Sequence, residues 1–209
     1  MNVSRQIGWS NESNLLYQIL KQLNRLTSVL FGLKEAATPK YKVYTALLTQ
    51  NGADDFLELS SGPVTKGVTY VIAIDSDGDF TNVGAPNNNE NTFFVAIKNE
   101  TPTSYGSCVL NYNPGTPVAN VLDNTIGNIW FTYLAVGVYS INSNGLFTSD
   151  QTTALTTFND CCDYSLIDKP FIAMNTFNTV DSVLISSAID GVYTDNVIKH
   201  MTIEIRVYN

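Results

Sequence analysis

Charged side chains are scarce in this sequence, where Asp, Glu, Lys and Arg make up only 14% of the 209 residues. Acidic residues outnumber basic ones by 19 to 11, which gives a formal net charge of −8. A protein that follows the phosphates of nucleic acid needs the opposite sign, so we expect no nucleic-acid partner. Asn, Thr and Ser supply the polarity instead, and they suit turns and solvent-facing strand positions.

Cysteine and histidine are also rare, with three Cys and one His in the whole chain. The adjacent Cys161 and Cys162 would close a strained ring if they were joined, so we expect them and Cys108 to be free thiols. The single His200 cannot supply a Cys/His zinc site, and no nucleophile or phosphate-binding motif accompanies it. The sequence therefore predicts no metal centre and no cofactor.

Long apolar runs are missing as well. No stretch approaches the roughly 20 apolar residues of a membrane helix, and residues 1–10 show no basic region followed by an apolar core. We therefore expect no signal peptide, no membrane insertion and folding in a reducing cytoplasm. Even so, 44% of the residues are hydrophobic, which is enough for a sizeable core.

The first feature that is present is an amphipathic helix, expected over residues 14–36. Large aliphatic side chains recur in it at the a and d positions of a heptad. We call this set the heptad face, and it comprises Leu16, Ile19, Leu23, Leu26, Leu30 and Leu33. Gly32 and then Pro39 are expected to end the helix.

Such a helix either packs on its own domain or associates with other copies. The 3.5-residue spacing favours association, and Leu15, Leu20 and Val29 widen the apolar surface on both flanks of the heptad face. This width is more than a two-stranded seam needs and favours a homotrimer, with a dimer as the alternative. A helix this short is marginal alone, so the rest of the chain must support it.

Residues 40–209 show the alternation of a β-rich domain, with Gly, Asn and Pro between the apolar segments. The last segment alternates most clearly, because Ile203, Ile205 and Val207 face one way. Turn signals occur at Asn51-Gly52 and over residues 142–145. The predicted fold class is mainly β: an antiparallel sandwich or barrel preceded by a short coiled-coil helix. Strands are expected at 41–49, 68–74, 92–97, 129–133, 137–141, 146–148, 183–186 and 201–208.

One acidic cluster resembles the start of a calcium loop, with carboxylates at alternate positions, namely Asp75, Asp77 and Asp79. The pattern then fails, because Phe80 replaces the required Gly and Pro86 stands where a bidentate Glu is needed. We favour a hairpin turn at Asp77-Gly78 and leave a weak cation site as the alternative.

Glycoside cleavage needs two carboxylates, and the sequence does not single out a pair. Asp123, Asp160 and Asp163 lie in segments with the composition of turns or loops. Trp9 and Trp130 are more typical of core or interface positions than of a sugar-stacking platform. No set of residues indicates an active site, and we expect a protein that is not an enzyme.

The assembled features resemble the fibre and appendage proteins of tailed phages that infect Bacteroidetes, including crAss-like phages. The resemblance is carried by residues 7–30 (IGWSNESNLLYQILKQLNRLTSVL), 41–52 (YKVYTALLTQNG), 121–148 (VLDNTIGNIWFTYLAVGVYSINSNGLFT) and 203–208 (IEIRVY). It implies a virion component that assembles as a homo-oligomer, often a trimer, and that attaches to the particle by its N-terminal part.

Under this resemblance, residues 1–13 form an arm that docks on the capsid or another virion protein, with Ile7 and Trp9 as its anchors. The heptad face forms the oligomer interface, and the β domain projects outward, where it can contact a host-surface glycan. The length of the chain favours a head fibre of the virion, assembled in the host cytoplasm. The alternatives are a tail fibre or adaptor, or an appendage that binds carbohydrate or, as the less favoured form, cleaves it.

Overall fold

The structure, a computed structural model, describes residues 11–36, 40–74, 77–148, 152–157, 171–179 and 181–208. It divides into two compact units, one within residues 1–40 and the other within residues 41–209. The first unit contains a single α-helix and the second contains antiparallel β-sheets. The prediction of a mainly β chain with one N-terminal helix is therefore confirmed.

Helix α1 spans Asn11–Ala36. It begins earlier than the predicted residue 14, so the last part of the predicted arm belongs to the helix. Leu, Gln, Lys and Arg are strong helix formers and dominate its sequence. The Thr27 hydroxyl donates to the Leu23 carbonyl at 2.8 Å, which satisfies this polar side chain within the preceding turn.

The first sheet is built from the two ends of the β domain and two strands between them. Its strands are β1 (Tyr41–Thr49), β6 (Val118–Asn124), β9 (Thr152–Thr157) and β13 (Met201–Tyr208), in the order β6-β1-β13-β9. The alternation predicted for the last strand is confirmed, because Ile203, Ile205 and Val207 are buried while Thr202 and Glu204 are half-buried.

The second sheet shares its core with the first. Its strands are β7 (Ile129–Ala135), β8 (Val138–Ser143), β10 (Phe171–Thr179), β11 (Ser182–Ile189) and β12 (Val192–Tyr193), in the order β10-β11-β8-β7 with β12 paired to β11. Buried side chains from both sheets form one hydrophobic cluster. The Tyr44 and Phe131 rings join the two sheets directly, with centroids 6.3 Å apart.

The third sheet has its own hydrophobic cluster. Its strands are β2 (Leu57–Leu59), β3 (Thr69–Ile72), β4 (Phe93–Val95) and β5 (Leu110–Tyr112), in the order β2-β5-β3-β4. Ile72, Phe94 and Leu110 are fully buried in that cluster. The sheet is tied to β7 because the Phe131 N–H donates to the Thr69 hydroxyl at 3.2 Å.

Two local predictions are wrong. Residues 146–148 form no strand, although Phe147 is fully buried in the core of the first two sheets, and β8 pairs with β7 and β11 instead. Asn51-Gly52 forms no turn. Gly52 is needed there because a Cβ atom would lie 2.0 Å from the Pro114 carbonyl oxygen, so two backbone segments approach closely.

Candidate functional site

The described side chains of α1 expose an apolar face in the single chain. Each described position of the heptad face is more than half exposed, from 54% at Ile19 to 70% at Leu30. The side chain of Leu33 lies outside the described part. An apolar surface of this kind marks a site of interaction with another apolar surface. The exposed heptad positions are Leu16, Ile19, Leu23, Leu26 and Leu30.

The flanks of this face are apolar too. Leu15, Leu20 and Val29 are each at least half exposed. Tyr17 and Phe31 are exposed as well, and sequence reasoning did not include them in the surface. Tyr17 lies one turn before Leu20 on the same flank, so the i, i+3 spacing is the signal that identifies it.

A shallow groove lies on the exposed face of α1. Ile19, Gln22, Leu23 and Leu26 line it, together with Gln18. In the heptad defined above, the first four occupy positions d, g, a and d. In a coiled coil, each knob of one helix inserts into a hole formed by four residues of the facing helix. The groove can therefore receive a large aliphatic side chain from a second helix.

The acidic cluster is occupied by local hydrogen bonds. Asp79 Oδ1 accepts from the Thr81 hydroxyl at 2.7 Å and from the Thr81 N–H at 3.1 Å, and these bonds lower the pKa of Asp79. Asp77 Oδ1 accepts from the Ser107 N–H at 3.0 Å. Asp75 lies outside the described residues, within which no group of three or more potential metal ligands occurs.

The hairpin turn predicted at Asp77-Gly78 is wrong. Asp79 forms an isolated antiparallel bridge with Ser104 instead. Gly78 is buried, and a Cβ atom there would lie 2.7 Å from Cys108 Sγ. The glycine serves close packing against the segment around Cys108.

The remaining candidates are dispersed. His200 is exposed at the start of β13, and its N–H donates to the Thr49 hydroxyl at 3.3 Å. Asp123 is an exposed residue within β6 instead of a turn, and Trp130 stacks on Phe93 with ring centroids 5.6 Å apart. Cys108 is buried. Several candidates lie outside the described residues, namely Ile7, Trp9, Asp160, Cys161, Cys162 and Asp163.

One carboxylate network escaped the sequence analysis. Asp195 Oδ1 accepts from the Tyr139 hydroxyl at 2.8 Å and from the Gly137 N–H at 2.7 Å, and Oδ2 accepts from the Tyr133 hydroxyl at 2.9 Å. Burial and the nearby carboxylate raise the pKa of Tyr133 to about 12. Because its oxygens already accept three donors, Asp195 fastens the segment before β13 to the turn between β7 and β8.

Several clefts open on the described part of the β domain, and two of them bear on function. The larger, of about 470 Å³, is lined by residues that include Tyr44, Lys66 and Val121. The Tyr44 hydroxyl is buried without a hydrogen-bond partner, and burial raises the pKa of this residue. The smaller, of about 170 Å³, lies between the third sheet and β7. We call it the aromatic cleft, and its lining includes Phe56, Phe93, Asn111, Tyr112 and Tyr133.

Comparison of the chain with protein-family models, with curated proteins and with solved structures gives no match. Among the described residues, no helix combines the length and the apolar character needed to cross a membrane. The exposed face of α1 and the surfaces of the β domain are therefore the candidate functional regions among the described residues.

Proposed function

We propose that this protein is a structural component of a phage virion, a homotrimeric appendage of the head-fibre type without enzymatic activity. Its N-terminal arm, with Ile7 and Trp9, docks on the capsid or another virion protein. The heptad face joins the copies, and the β domain points outward toward the host surface. The resemblance of residues 7–30, 41–52, 121–148 and 203–208 to phage appendage proteins supports the virion assignment.

The groove on α1 is the observation that most directly supports the proposed oligomer. It combines heptad positions d, g, a and d at Ile19, Gln22, Leu23 and Leu26, which is the set of residues that surrounds a knob in a coiled coil. Fully burying a leucine side chain contributes about 1.5–3 kcal/mol. Several exposed leucines in one row therefore favour association strongly, which a helix of this length needs to remain folded.

The flanks of the heptad face favour three strands over two. A pair of helices buries mainly the a and d positions and leaves the flanking g and e positions at the edge of the interface. Leu15, Leu20 and Val29 occupy those flanking positions and are exposed in the single chain. A third helix covers more of this surface, so the trimer removes more apolar area from water.

The β domain fits the role of a rigid outward module. We propose that its first two sheets form a sandwich, supported by the single hydrophobic cluster that both sheets share. The polar groups most suited to catalysis are otherwise engaged or isolated: Asp195 binds three donors and His200 stands exposed at a strand end. This supports a structural role for the β domain without enzymatic activity.

A tail fibre or adaptor is the second candidate. The same resemblance supports it, because the segments at 41–52 and 121–148 identify the module better than its position on the particle. A carbohydrate-binding appendage is favoured by one observation, the aromatic cleft. Antibodies raised against the protein, detected by immunogold electron microscopy on purified phage particles, separate these positions. Label on the heads supports a head fibre, label on the tails supports the alternative, and unlabelled particles contradict both.

Light scattering coupled to size exclusion tests the oligomer on the full chain. We expect a mass three times the 22.9 kDa of a single chain. A mass of two chains would keep the heptad interface but overturn the trimer. A monomer at micromolar concentration would contradict the proposed interface.

A further inference from the structure

The aromatic cleft is formed by two parts of the β domain that are held together by a buried hydrogen bond. One wall is the face of the third sheet that carries Thr69 and Asn111, and Asn111 pairs with Val71 across the strands. The other wall is β7, from Phe131 to Tyr133. Because the Phe131 N–H donates to the Thr69 hydroxyl, the two walls are fixed with respect to each other and the cleft is preformed.

Aromatic rings dominate the lining. Phe56 is 63% exposed, so much of its surface is accessible to a ligand. Tyr112 and Tyr133 are half-buried, so parts of both residues remain exposed to solvent. Tyr133 is held in place by its hydroxyl, which donates to Asp195 at 2.9 Å. The cleft thus offers flat apolar surfaces, of which the Tyr133 ring is held in a fixed orientation.

One amide oxygen in this lining is left without a partner. Asn111 Oδ1 is buried and has no hydrogen-bond partner among the described residues. The neighbouring Asn113 behaves differently, because its Oδ1 accepts from the Gly115 N–H at 2.8 Å and its Nδ2 donates to Asp54 at 2.7 Å. A buried acceptor without a donor is costly, so a native structure that keeps one calls for an explanation.

The described lining also fixes the character of the ligand. It contains no Asp, Glu, Lys or Arg, which favours a neutral molecule. Its volume of about 170 Å³ is well below the roughly 300–1,000 Å³ typical of sites for drug-sized ligands, so it suits a single small ring. A ligand that matches both aromatic faces and an amide acceptor has apolar C–H faces and a rim of hydroxyl donors.

We propose that the aromatic cleft binds a neutral saccharide unit, with a sugar face stacked on Phe56 and a sugar hydroxyl donating to Asn111 Oδ1, which a rotation of the buried Asn111 side chain brings to the cleft surface. This inference deepens the proposed function and rests on it for the source of the sugar, the host-cell surface. The two nevertheless involve separate residues, because the oligomer depends on α1 and the cleft lies in the β domain.

Saturation-transfer NMR on the full chain tests the cleft directly. The probes are the methyl glycosides of glucose, galactose, mannose, N-acetylglucosamine and rhamnose, each at millimolar concentration. We expect transfer to the ring C–H protons of at least one of them. A Gly-Phe-Gly peptide is added to the same samples as a competing aromatic ligand. The proposal would be overturned if no glycoside showed saturation transfer, or if only the peptide did.

Two substitutions place the binding in the cleft. Phe56→Ala should weaken binding of the positive glycoside by about tenfold, as loss of a stacking ring predicts. Asn111→Leu should weaken it by a similar factor, and the exposed Phe56 provides a variant that leaves the core intact. The matched control is Tyr193→Ala on β12, which removes an aromatic ring of 52% exposure outside the cleft and should leave binding unchanged. Unchanged binding in both cleft variants would contradict the proposal.

The mass of each sample separates this inference from the oligomer. A Leu23→Glu/Leu26→Glu chain that is monomeric and still binds the glycoside supports the cleft as an independent site. A trimer that fails to bind any probe overturns the cleft while leaving the interface in place. A monomeric wild-type chain that binds overturns the interface alone.

Discussion

Helix α1 and strand β13 both carry a regular row of large aliphatic side chains, but those of β13 are buried and those of α1 are exposed. In β13, Ile203 and Ile205 are fully buried by partners within the same chain. In α1, Leu26 and Leu30 are 66% and 70% exposed. Both segments have a regular apolar period, so the difference lies in whether one chain supplies a partner surface. The apolar pattern of β13 specifies the fold, and we propose that the pattern of α1 specifies the assembly.

This comparison also explains where polar residues are allowed. The face of β13 that points away from the core carries Thr202, Glu204 and Arg206, and Arg206 forms an ion pair with Glu204 at 2.5 Å. The Arg206 guanidinium also lies over the Tyr41 ring, 4.9 Å from its centroid, and so contacts β1. On α1, Lys21 and Ser28 lie at f positions, opposite the heptad face.

The largest expected effect is loss of the oligomer in the Leu23→Glu/Leu26→Glu chain. Burying these carboxylates without partners in a seam is strongly unfavourable, so the trimer should dissociate to single chains. Light scattering should then report a threefold lower mass, while far-ultraviolet circular dichroism retains the β signal. Native mass spectrometry provides an independent measurement of the same change.

The matched control is Lys21→Glu/Ser28→Glu, which adds negative charge to the opposite side of the same helix. This variant should keep the wild-type mass. If the seam variant keeps it too, the contrast between a fold-specifying strand and an assembly-specifying helix is wrong.

The next effect is loss of stability in Ile205→Ala. Removing a fully buried isoleucine should lower the free energy of unfolding by about 3 kcal/mol, because it leaves a cavity between the first two sheets. Denaturant unfolding measures this change. Thr202→Ala, on the outward face of β13, should cost less than about 1 kcal/mol. Equal costs at the two positions would show that the alternation does not decide the fold.

A smaller effect is expected for Asp195→Ala. The change removes a carboxylate that accepts from two tyrosine hydroxyls and the Gly137 N–H, so the free energy of unfolding should fall by about 2 kcal/mol. The mass of the oligomer should not change. Glu90→Ala removes an exposed carboxylate and is the control. A stable Asp195→Ala chain would show that this network is dispensable.

A dependence on alkaline pH is also expected, because burial raises the pKa of several tyrosines, Tyr44, Tyr70 and Tyr139 among them. Burial raises the pKa of Tyr105 to about 12, and burial with Asp195 raises that of Tyr133 to about 12, against about 10 in the unfolded chain. The folded state therefore holds these protons more tightly. Its stabilisation is complete below pH ~10 and is lost as the pH rises toward 12. Denaturant unfolding at pH 9 and 11 measures it.

Tyr105→Phe and Tyr133→Phe separate the two contributions. Each variant should show a weaker fall in stability between pH 9 and 11 than the wild type. A wild-type chain with equal stability at both pH values would contradict the assignment. The heptad face contains no titratable side chain. The change from pH 9 to pH 11 should therefore not by itself alter the proposed contacts between helices.

The sequence predicts the most periodic elements well. Strands β1 and β13 match their predicted bounds. One face of each strand is buried and the other is not, so apolar and polar residues alternate along the sequence with a period of two. Helix α1 is also found, although it begins earlier than predicted and continues through Gly32, which was expected to end it, to Ala36. The two strands bury a row of apolar side chains, and the described part of α1 exposes one. In each case the local sequence pattern is enough to identify the element.

Other elements leave a weaker signal. Strand β6 lies at the edge of its sheet, where exposed positions tolerate the turn-like Asp123 and Asn124. Strand β2 is too short for a period to appear. Phe147 is the opposite case, because an apolar side chain fills the core from outside any strand. Its burial is set by tertiary packing that no local window contains.

The candidate surfaces divide in the same way. The heptad face is visible in the sequence because a helix keeps its members in one row. The aromatic cleft is not visible, since Phe56, Asn111 and Tyr133 come from separate segments that only strand pairing and sheet packing bring together. The unpartnered state of Asn111 Oδ1 is likewise a property of its surroundings.

The pairing of Tyr41 with Tyr208 has a mechanical consequence. These residues lie opposite each other at one end of the β1–β13 ladder, with ring centroids 5.4 Å apart. A force applied between them loads the ladder hydrogen bonds one after another, like a zipper, whereas a force between Tyr41 and Met201 loads them together in shear. Optical-trap handles at these two pairs of positions should give a lower rupture force for the first pair, and equal forces would exclude unzipping. Tension that enters the β domain through Tyr41 and leaves through Tyr208 therefore acts along the weaker of these two directions.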